Sequence, residues 1–238
     1  MANPYFSFKQ FTIFHDRCAM KVTTDSCLFG AWCAAEIAGQ NMSGPLLDIG
    51  TGTGLLSLMI AQKNKVAIDA VEIDADAAAQ AAENVRSATF DCSVQVTSSD
   101  IALFRSKNYK AVVCNPPFYE GDLEAPAAIK NTAHHSSHLK WKDLFPIICD
   151  KLQEEGSFYL LLPFKRAKEA QHLLAATGLF AQRMVLVKPS VNHEPFRVMI
   201  RGSKKEVGTE ISELSVRDNN QEYTTAVSAL LKDYYLYL

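Results

Sequence analysis

The run Leu46-Leu47-Asp48-Ile49-Gly50-Thr51-Gly52-Thr53-Gly54, continued at once by Leu55-Leu56-Ser57-Leu58-Met59-Ile60-Ala61, constrains the fold more than any other stretch of the chain. Three glycines in five positions, after an apolar run and ahead of a helical pattern, describe a strand that turns tightly and feeds a helix. Glycine suits such a turn because it takes positive φ at little cost and lets a ligand approach the backbone with no Cβ in the way. Spacing then narrows the ligand. A dinucleotide turn reads G-x-G-x-x-G, whereas this one reads G-x-G-x-G with Leu55 where the third glycine would fall. A triphosphate loop ends in Gly-Lys-Ser/Thr, but Gly54 is followed by two leucines. The carboxylate of Asp48 before the turn repels phosphate and favours a cationic ligand such as an aminoacyl group.

Two later strand ends carry further chemistry. Residues 66–73 read as a second strand, and Glu72 near its end lies 22 positions beyond Gly50. An acid about 20 positions on sits at the tip of the next strand within reach of a ribose, and its two oxygens suit two hydroxyls. Residues 93–97 form a third strand closing on Asp100, which also fits a plain turn cap. A fourth strand, 109–114, runs directly into Asn115-Pro116-Pro117-Phe118-Tyr119. Two prolines stop the ladder and stiffen the chain, so the Asn115 amide and the neighbouring Pro116 carbonyl keep one orientation. Such a pair abstracts protons poorly but grips a planar amino group well, meeting its two N–H bonds while an aromatic ring stacks on its face.

Around these elements strands and helices alternate. Helices are expected over 55–63, 76–88, 141–152 and 165–176, and strands over 46–49, 157–163, 182–187 and 196–200. Residues 5–14 alternate aromatic and polar side chains, as a strand or short hairpin arm does. The polar stretch 15–25 ends in a helix-capping signature and gathers Lys21, Thr24 and Asp25, a cation, a hydroxyl and a carboxylate, where a lid over a polar ligand needs them. Residues 120–140 read as a loop with Lys130, His134, His135, His138 and Lys140, either a phosphate-contacting flap or a solvated surface. Residues 206–221 read as a polar linker and 223–238 as a closing helix. Lys165, Arg166, Lys168, Lys188, Arg197, Arg201, Lys204 and Lys205 offer basic clusters to a polyanion if they share a face.

Composition sets outer bounds. A chain of 238 residues suits one large α/β domain with a small extension. Its net charge of −2 leaves any nucleic-acid contact to a local patch. The six cysteines are scattered with no C-x-x-C pair, and no run reaches membrane-spanning length or resembles a leader, so a cytoplasmic protein with reduced thiols and no metal is expected.

The turn resembles the E/D-x-G-x-G-x-G motif of the class I methyltransferases, which bind S-adenosylmethionine. Together with the acidic strand end and Asn115 to Phe118, it resembles the members that methylate planar amino nitrogens. Over nearly its whole length the chain is most similar to the bacterial tRNA1(Val) adenine-37 N6-methyltransferase family. The residues that carry this are His15 to Val22, Thr24-Asp25, Asp48 to Gly54, Val71 to Asp74, Asn115 to Phe118 and Lys232 to Tyr235. Two departures are Thr23, where glycine is expected, and His134-His135 in place of a more arginine-like pair.

The resemblance implies a doubly wound, mostly parallel, seven-stranded Rossmann-like α/β sheet with an antiparallel last strand. It implies an arm and lid over 1–42, a methyltransferase domain over 43–203 and a linker with closing helix over 204–238. It places Asp48, Gly50, Gly52, Gly54, Glu72, Ile73, Asp100, Ile101 and Asn115 along S-adenosylmethionine, with Lys21, Thr24 and Asp25 near its methionine end. Asp100 would accept from the adenine amino group, with Ile73 and Ile101 sandwiching that ring. Asn115 and Pro116 would hold the target N6, and Phe118 or Tyr119 would stack on a flipped adenine of a tRNA anticodon loop. The product would be S-adenosylhomocysteine, and no obligate protein partner is implied. Rival readings are a glutamine N5-methyltransferase of release factors, whose site resembles Asn-Pro-Pro-Tyr, and an amino-methyltransferase of rRNA or DNA.

Overall fold

A computed structural model describes residues 3–90, 93–105, 108–117 and 139–238. In chain order its elements are β1 (Tyr5–Ser7), β2 (Thr12–Phe14), α1 (Thr24–Gly39), β3 (Leu46–Ile49), α2 (Leu55–Lys63), β4 (Ile68–Glu72), α3 (Ala75–Arg86), β5 (Val94–Ser98) and β6 (Tyr109–Cys114). There follow α4 (Trp141–Lys151), β7 (Leu152–Pro163), a single 3-10 turn Phe164–Arg166, α5 (Ala167–Ala176), β8 (Phe180–Ser190), β9 (Arg197–Ser203), β10 (Glu210–Arg217) and α6 (Thr225–Leu231).

Eight strands form one sheet in the order β10-β8-β9-β7-β6-β3-β4-β5. Neighbours pair in parallel from β7 through β6, β3 and β4 to β5, and β9 alone runs against them, between β7 and β8. The alternation of the central strands explains the double winding. Leu46, Ala111 and Val113 point into a core shared with α1 and α2 through Leu28, Phe29, Leu58 and Met59. Their chain neighbours Leu47, Ile49, Val112 and Cys114 point the other way, into a core with Trp141, Phe145 and Leu174 of α4 and α5. β3 is covered on both faces and buried at every residue, the carboxylate of Asp48 included.

Thr23 is the N-cap of α1 at φ −126°, ordinary extended backbone, and its hydroxyl and that of Ser26 reciprocally bond each other's backbone N–H groups. A threonine therefore serves where a glycine was expected. The N-terminal arm is a hairpin, β1 against β2. It is closed onto the C-terminal end by a Phe8–Tyr235 bridge and by Lys9 N–H donating to the Tyr234 carbonyl at 2.8 Å.

Three expectations need correction. The stretch 206–221 contains β10, parallel to β8, so the sheet has eight strands and no linker separates it from the domain. The closing helix is short, ending at Leu231, and Tyr234 beyond it is buried with its hydroxyl donating to the Met59 carbonyl at 2.9 Å. The strand expected to begin at 157 starts at Leu152.

Candidate functional site

Strands β6, β3, β4 and β5 lie side by side and end at one edge. The register sets Ile49 opposite both Val71 and Cys114, and Glu72 opposite Ser98. The glycine turn, Glu72, Asp100 and Asn115 thus leave the same edge from adjacent strands, each about 4.8 Å from the next. The two loops that the sequence singles out share one side.

The turn is tied down by the strand beside it. Gly50 and Thr51 both donate to the Val71 carbonyl, at 2.9 and 3.2 Å, and Gly54 donates to the Thr51 carbonyl at 2.9 Å. Gly50 and Gly52 have φ of +68° and +54°, and a Cβ on either would meet no protein atom within 4 Å. The turn is therefore an open cradle whose glycines answer to backbone conformation and to ligand space, since no protein crowding requires them.

Two carboxylates flank it. Glu72 Oε2 accepts from Gly52 N–H at 2.9 Å and Oε1 from Asp74 N–H at 3.0 Å. Both oxygens are thereby aimed, and each keeps a lone pair for a hydroxyl. Asp48 is fully buried, and its Oδ2 accepts from Thr51 and Ser57 hydroxyls, each at 2.7 Å. Its Oδ1 is buried without a partner. Burial raises this carboxyl from the usual 3.8 to about 6, against the pull of the two hydroxyls.

On the neighbouring strand Asn115 likewise keeps a buried Oδ1 without a partner. Orphaned buried acceptors cost about 1–3 kcal/mol each. Two of them at one edge, beside an open cradle, fit a ligand with N–H donors. Pro116 and Pro117 follow Asn115 as expected, whereas Phe118, Tyr119 and the 120–140 stretch through residue 138 lie outside the described residues.

The other expected residues are placed as follows. Asp100 Oδ1 accepts from Ala102 N–H at 2.9 Å, so it does cap a turn, and it does so at the end of β5 on the site edge. Ile73 is 45 % exposed at the rim, whereas Ile101 is packed into the second core. Lys21 and Thr24 are exposed, and Asp25 at the start of α1 is bonded by Arg197 Nε at 2.9 Å. The basic residues do not all share a face. Lys165 and Arg166 follow β7 at the site edge; Arg197 and Arg201 share one face of β9 but are taken up by Asp25 and Glu36 of α1, while Lys204 and Lys205, beyond β9, pair with Glu154 and Glu155.

Sequence reasoning missed Gln80 and Asn84. They are 2 % and 1 % exposed on α3, and they bond the backbone of 14–17 and the Thr53 carbonyl. Their spacing of four residues, in line with the buried alanines 77 and 81, was the available signal.

Burial holds the thiols of Cys18 and Cys27 up at about 12 and those of Cys33 and Cys114 well above their ordinary value, so none of these is a ready thiolate nucleophile. Among the described residues no group of three or more His, Cys, Asp or Glu is arranged to hold a metal ion, and no helix is long and apolar enough to cross a membrane.

Comparison with known proteins identifies the family and the fold. A family described as methyltransferase small domain matches residues 33–160. Curated proteins named tRNA1(Val) (adenine(37)-N6)-methyltransferase are similar over the full length. That of Phocaeicola vulgatus is 39 % identical and that of Bacteroides fragilis 34 %, each alignment covering 99 % of both chains. Among solved structures, the 16S rRNA N2 G1207 methyltransferase of T. thermophilus, in complex with AdoMet and guanosine, superposes with TM-score 0.58 at 18 % identity. That match covers 84 % of this chain and 50 % of the other. The ribosomal protein L11 methylase of Lactobacillus delbrueckii subsp. bulgaricus gives 0.52 at 18 % identity, covering 74 % and 78 %. At such identities the likeness is one of fold, the Rossmann-like class I methyltransferase fold.

Proposed function

The chain belongs to the tRNA1(Val) (adenine(37)-N6)-methyltransferase family, and we propose that the end of β6 grips N6 of adenosine 37 beside a methyl donor seated on the turn after β3. It is a methyltransferase that acts on N6 of an adenosine in tRNA. The observation that carries the arrangement is the parallel pairing of β3 with β6. This puts the glycine cradle and Asn115 at one edge, each with a buried acceptor awaiting a donor.

The donor in this reading is S-adenosylmethionine, which when bound supplies an electrophilic methyl on a sulfonium sulfur. Glu72 would accept from its ribose hydroxyls, Asp48 would accept from its cationic aminoacyl end, and Gly50 and Gly52 would admit it close to the backbone. Lys21, Thr24 and Asp25 line the lid side in the same reading, and Asp100 with Ile73 and Ile101 the adenine side.

An exocyclic amine conjugated to its ring is a weak nucleophile. Asn115 Oδ1 accepts one N–H of N6 and the Pro116 carbonyl the other, which raises density on nitrogen and aims its lone pair. So held, N6 would take the methyl that the bound donor supplies and shed one proton to water, leaving S-adenosylhomocysteine. Phe118 stacks on the adenine in this reading, and an unpaired anticodon-loop base is cheap to splay outward. Cytoplasmic tRNA is the substrate pool we assign.

Purified protein with methyl-labelled S-adenosylmethionine should label total tRNA lacking this modification. Nuclease digestion should return the label as N6-methyladenosine from the position 3′ of the anticodon. Label appearing in release factors, rRNA or DNA and absent from tRNA would overturn the assignment.

A further inference from the structure

The segment between the N-terminal hairpin and α1, residues 15–22, has no regular structure of its own. Side chains elsewhere hold it. His15 is buried, its Nε2 2.9 Å from the Asn3 carbonyl, while Nδ1 accepts from Val22 N–H at 3.5 Å, which closes 15–22 into a loop. Gln80 Oε1 accepts from Arg17 N–H at 3.0 Å and from the Cys18 thiol at 3.3 Å, and Gln80 Nε2 donates to Asp16 Oδ1 at 2.7 Å. One turn along α3, Glu83 pairs with the Arg17 guanidinium.

Asn84 uses both ends of its amide. Oδ1 accepts from Phe14 N–H at 3.0 Å, and Nδ2 donates to the Phe14 carbonyl at 2.9 Å, as a neighbouring strand would. The same Nδ2 donates to the Thr53 carbonyl in the glycine turn, also at 2.9 Å. The loop so held is joined through Asn84 to the glycine turn, whose Gly52 N–H donates to Glu72.

We infer that Gln80 and Asn84 are positioning residues: two buried amides on α3 fix residues 14–18 as a wall over the cofactor cradle, and Asn84 locks that wall to the glycine turn. Cofactor affinity and order of the N-terminal arm are therefore linked. The inference rests on the cradle being the S-adenosylmethionine site, and the test separates the two.

Gln80→Glu sets a second carboxylate against Asp16. The double variant Gln80→Glu with Asp16→Asn restores a donor and acceptor across the same gap with their roles exchanged. Affinity for S-adenosylmethionine by calorimetry, and hydrogen exchange of the 14–22 amides, should report both variants. The single variant should bind about tenfold more weakly, with exchange faster in 14–22, and the double should recover to within about threefold. Asp16 is exposed, so Asp16→Ala tests the same bond without risk to folding and should bind about threefold more weakly. Wild-type affinity in Asp16→Ala and Gln80→Glu, or failure of the double variant to recover, overturns the inference. No binding by the wild-type protein would instead overturn the site assignment beneath it.

Discussion

Replacing Asp48 with asparagine should shift the stability of the ligand-free protein relative to wild type in the variant's favour as pH rises. The carboxyl is fully buried, and burial raises it from the usual 3.8 to about 6. For an acid whose folded value lies above its unfolded one, the native state holds the extra proton between the two values. Stability falls as pH rises through that window, here from 3.8 to about 6, and the cost is complete above it. The window corresponds to a total of about 3 kcal/mol, of which roughly half is incurred by pH 5.

The asparagine variant has no such dependence. Its carbonyl still accepts from Thr51 and Ser57, while its amide nitrogen replaces the orphaned Oδ1. A buried unsatisfied donor costs about 1–3 kcal/mol, but equally at every pH, so it cancels in the comparison. Urea unfolding of both proteins at pH 5 and pH 7 should show the variant gaining about 1 kcal/mol relative to wild type between the two. An unchanged difference would show that Asp48 is not a desolvated acid. The binding arm has the opposite sign. A cationic ligand that restores Asp48 to an ordinary value should bind wild type about tenfold more tightly at pH 7 than at pH 5, a preference the variant lacks.

Three further outcomes are expected. Gly52→Ala places an L side chain at φ +54°, costs about 1–2 kcal/mol and intrudes on the cradle, so cofactor affinity by calorimetry should fall at least about tenfold. Thr23→Ala removes the cap of α1 at about 1 kcal/mol and should lower the thermal midpoint by about 2–4 °C with transfer activity retained. Glu36 receives Arg183 Nη1 at 2.6 Å and Arg201 Nη1 at 2.7 Å, and binds α1 to β8 and β9 away from the cradle. After allowance for the partly exposed arginines, Glu36→Gln should cost about 2 kcal/mol in urea unfolding and leave cofactor affinity unchanged.

What was legible in the sequence follows from where each signal resides. The bounds of β3, α2 and β6 were readable because the glycine turn 50–54 closes the first and opens the second, and the two prolines after Asn115 stop the third. Strand β10 was hidden. It reads Glu-Ile-Ser-Glu-Leu-Ser-Val-Arg at the sheet edge, with Ile211 62 % exposed and only Leu214 and Val216 reaching the core, an alternation too short to stand out, and main-chain pairing with β8 supplies the rest. The end of the chain read as helix, yet after Leu231 the aromatic residues 234 and 235 fold back on Met59 and Phe8.

The same division holds at the site. Asp48, Gly50, Gly52, Glu72 and Asn115 sit next to turns that announce them. The role of Asn84 depends on Phe14, 70 residues away, and that of Gln80 on Arg17, 63 away, which no local pattern encodes. Nor does sequence order reveal that Arg197 and Arg201, four residues apart on one face of β9, are paired with Asp25 and Glu36 towards the two ends of α1.

The most direct test of the account separates the two loops at the shared edge. Asn115→Ala should be compared with wild type in single-turnover methyl transfer to N6 of adenosine in unmodified tRNA and, in parallel, in calorimetric binding of S-adenosylmethionine. If Asn115 grips the acceptor nitrogen while the glycine cradle holds the donor, transfer falls by at least about 100-fold and cofactor affinity stays within about threefold. Equal losses in both would contradict it and return Asn115 to cofactor support alone.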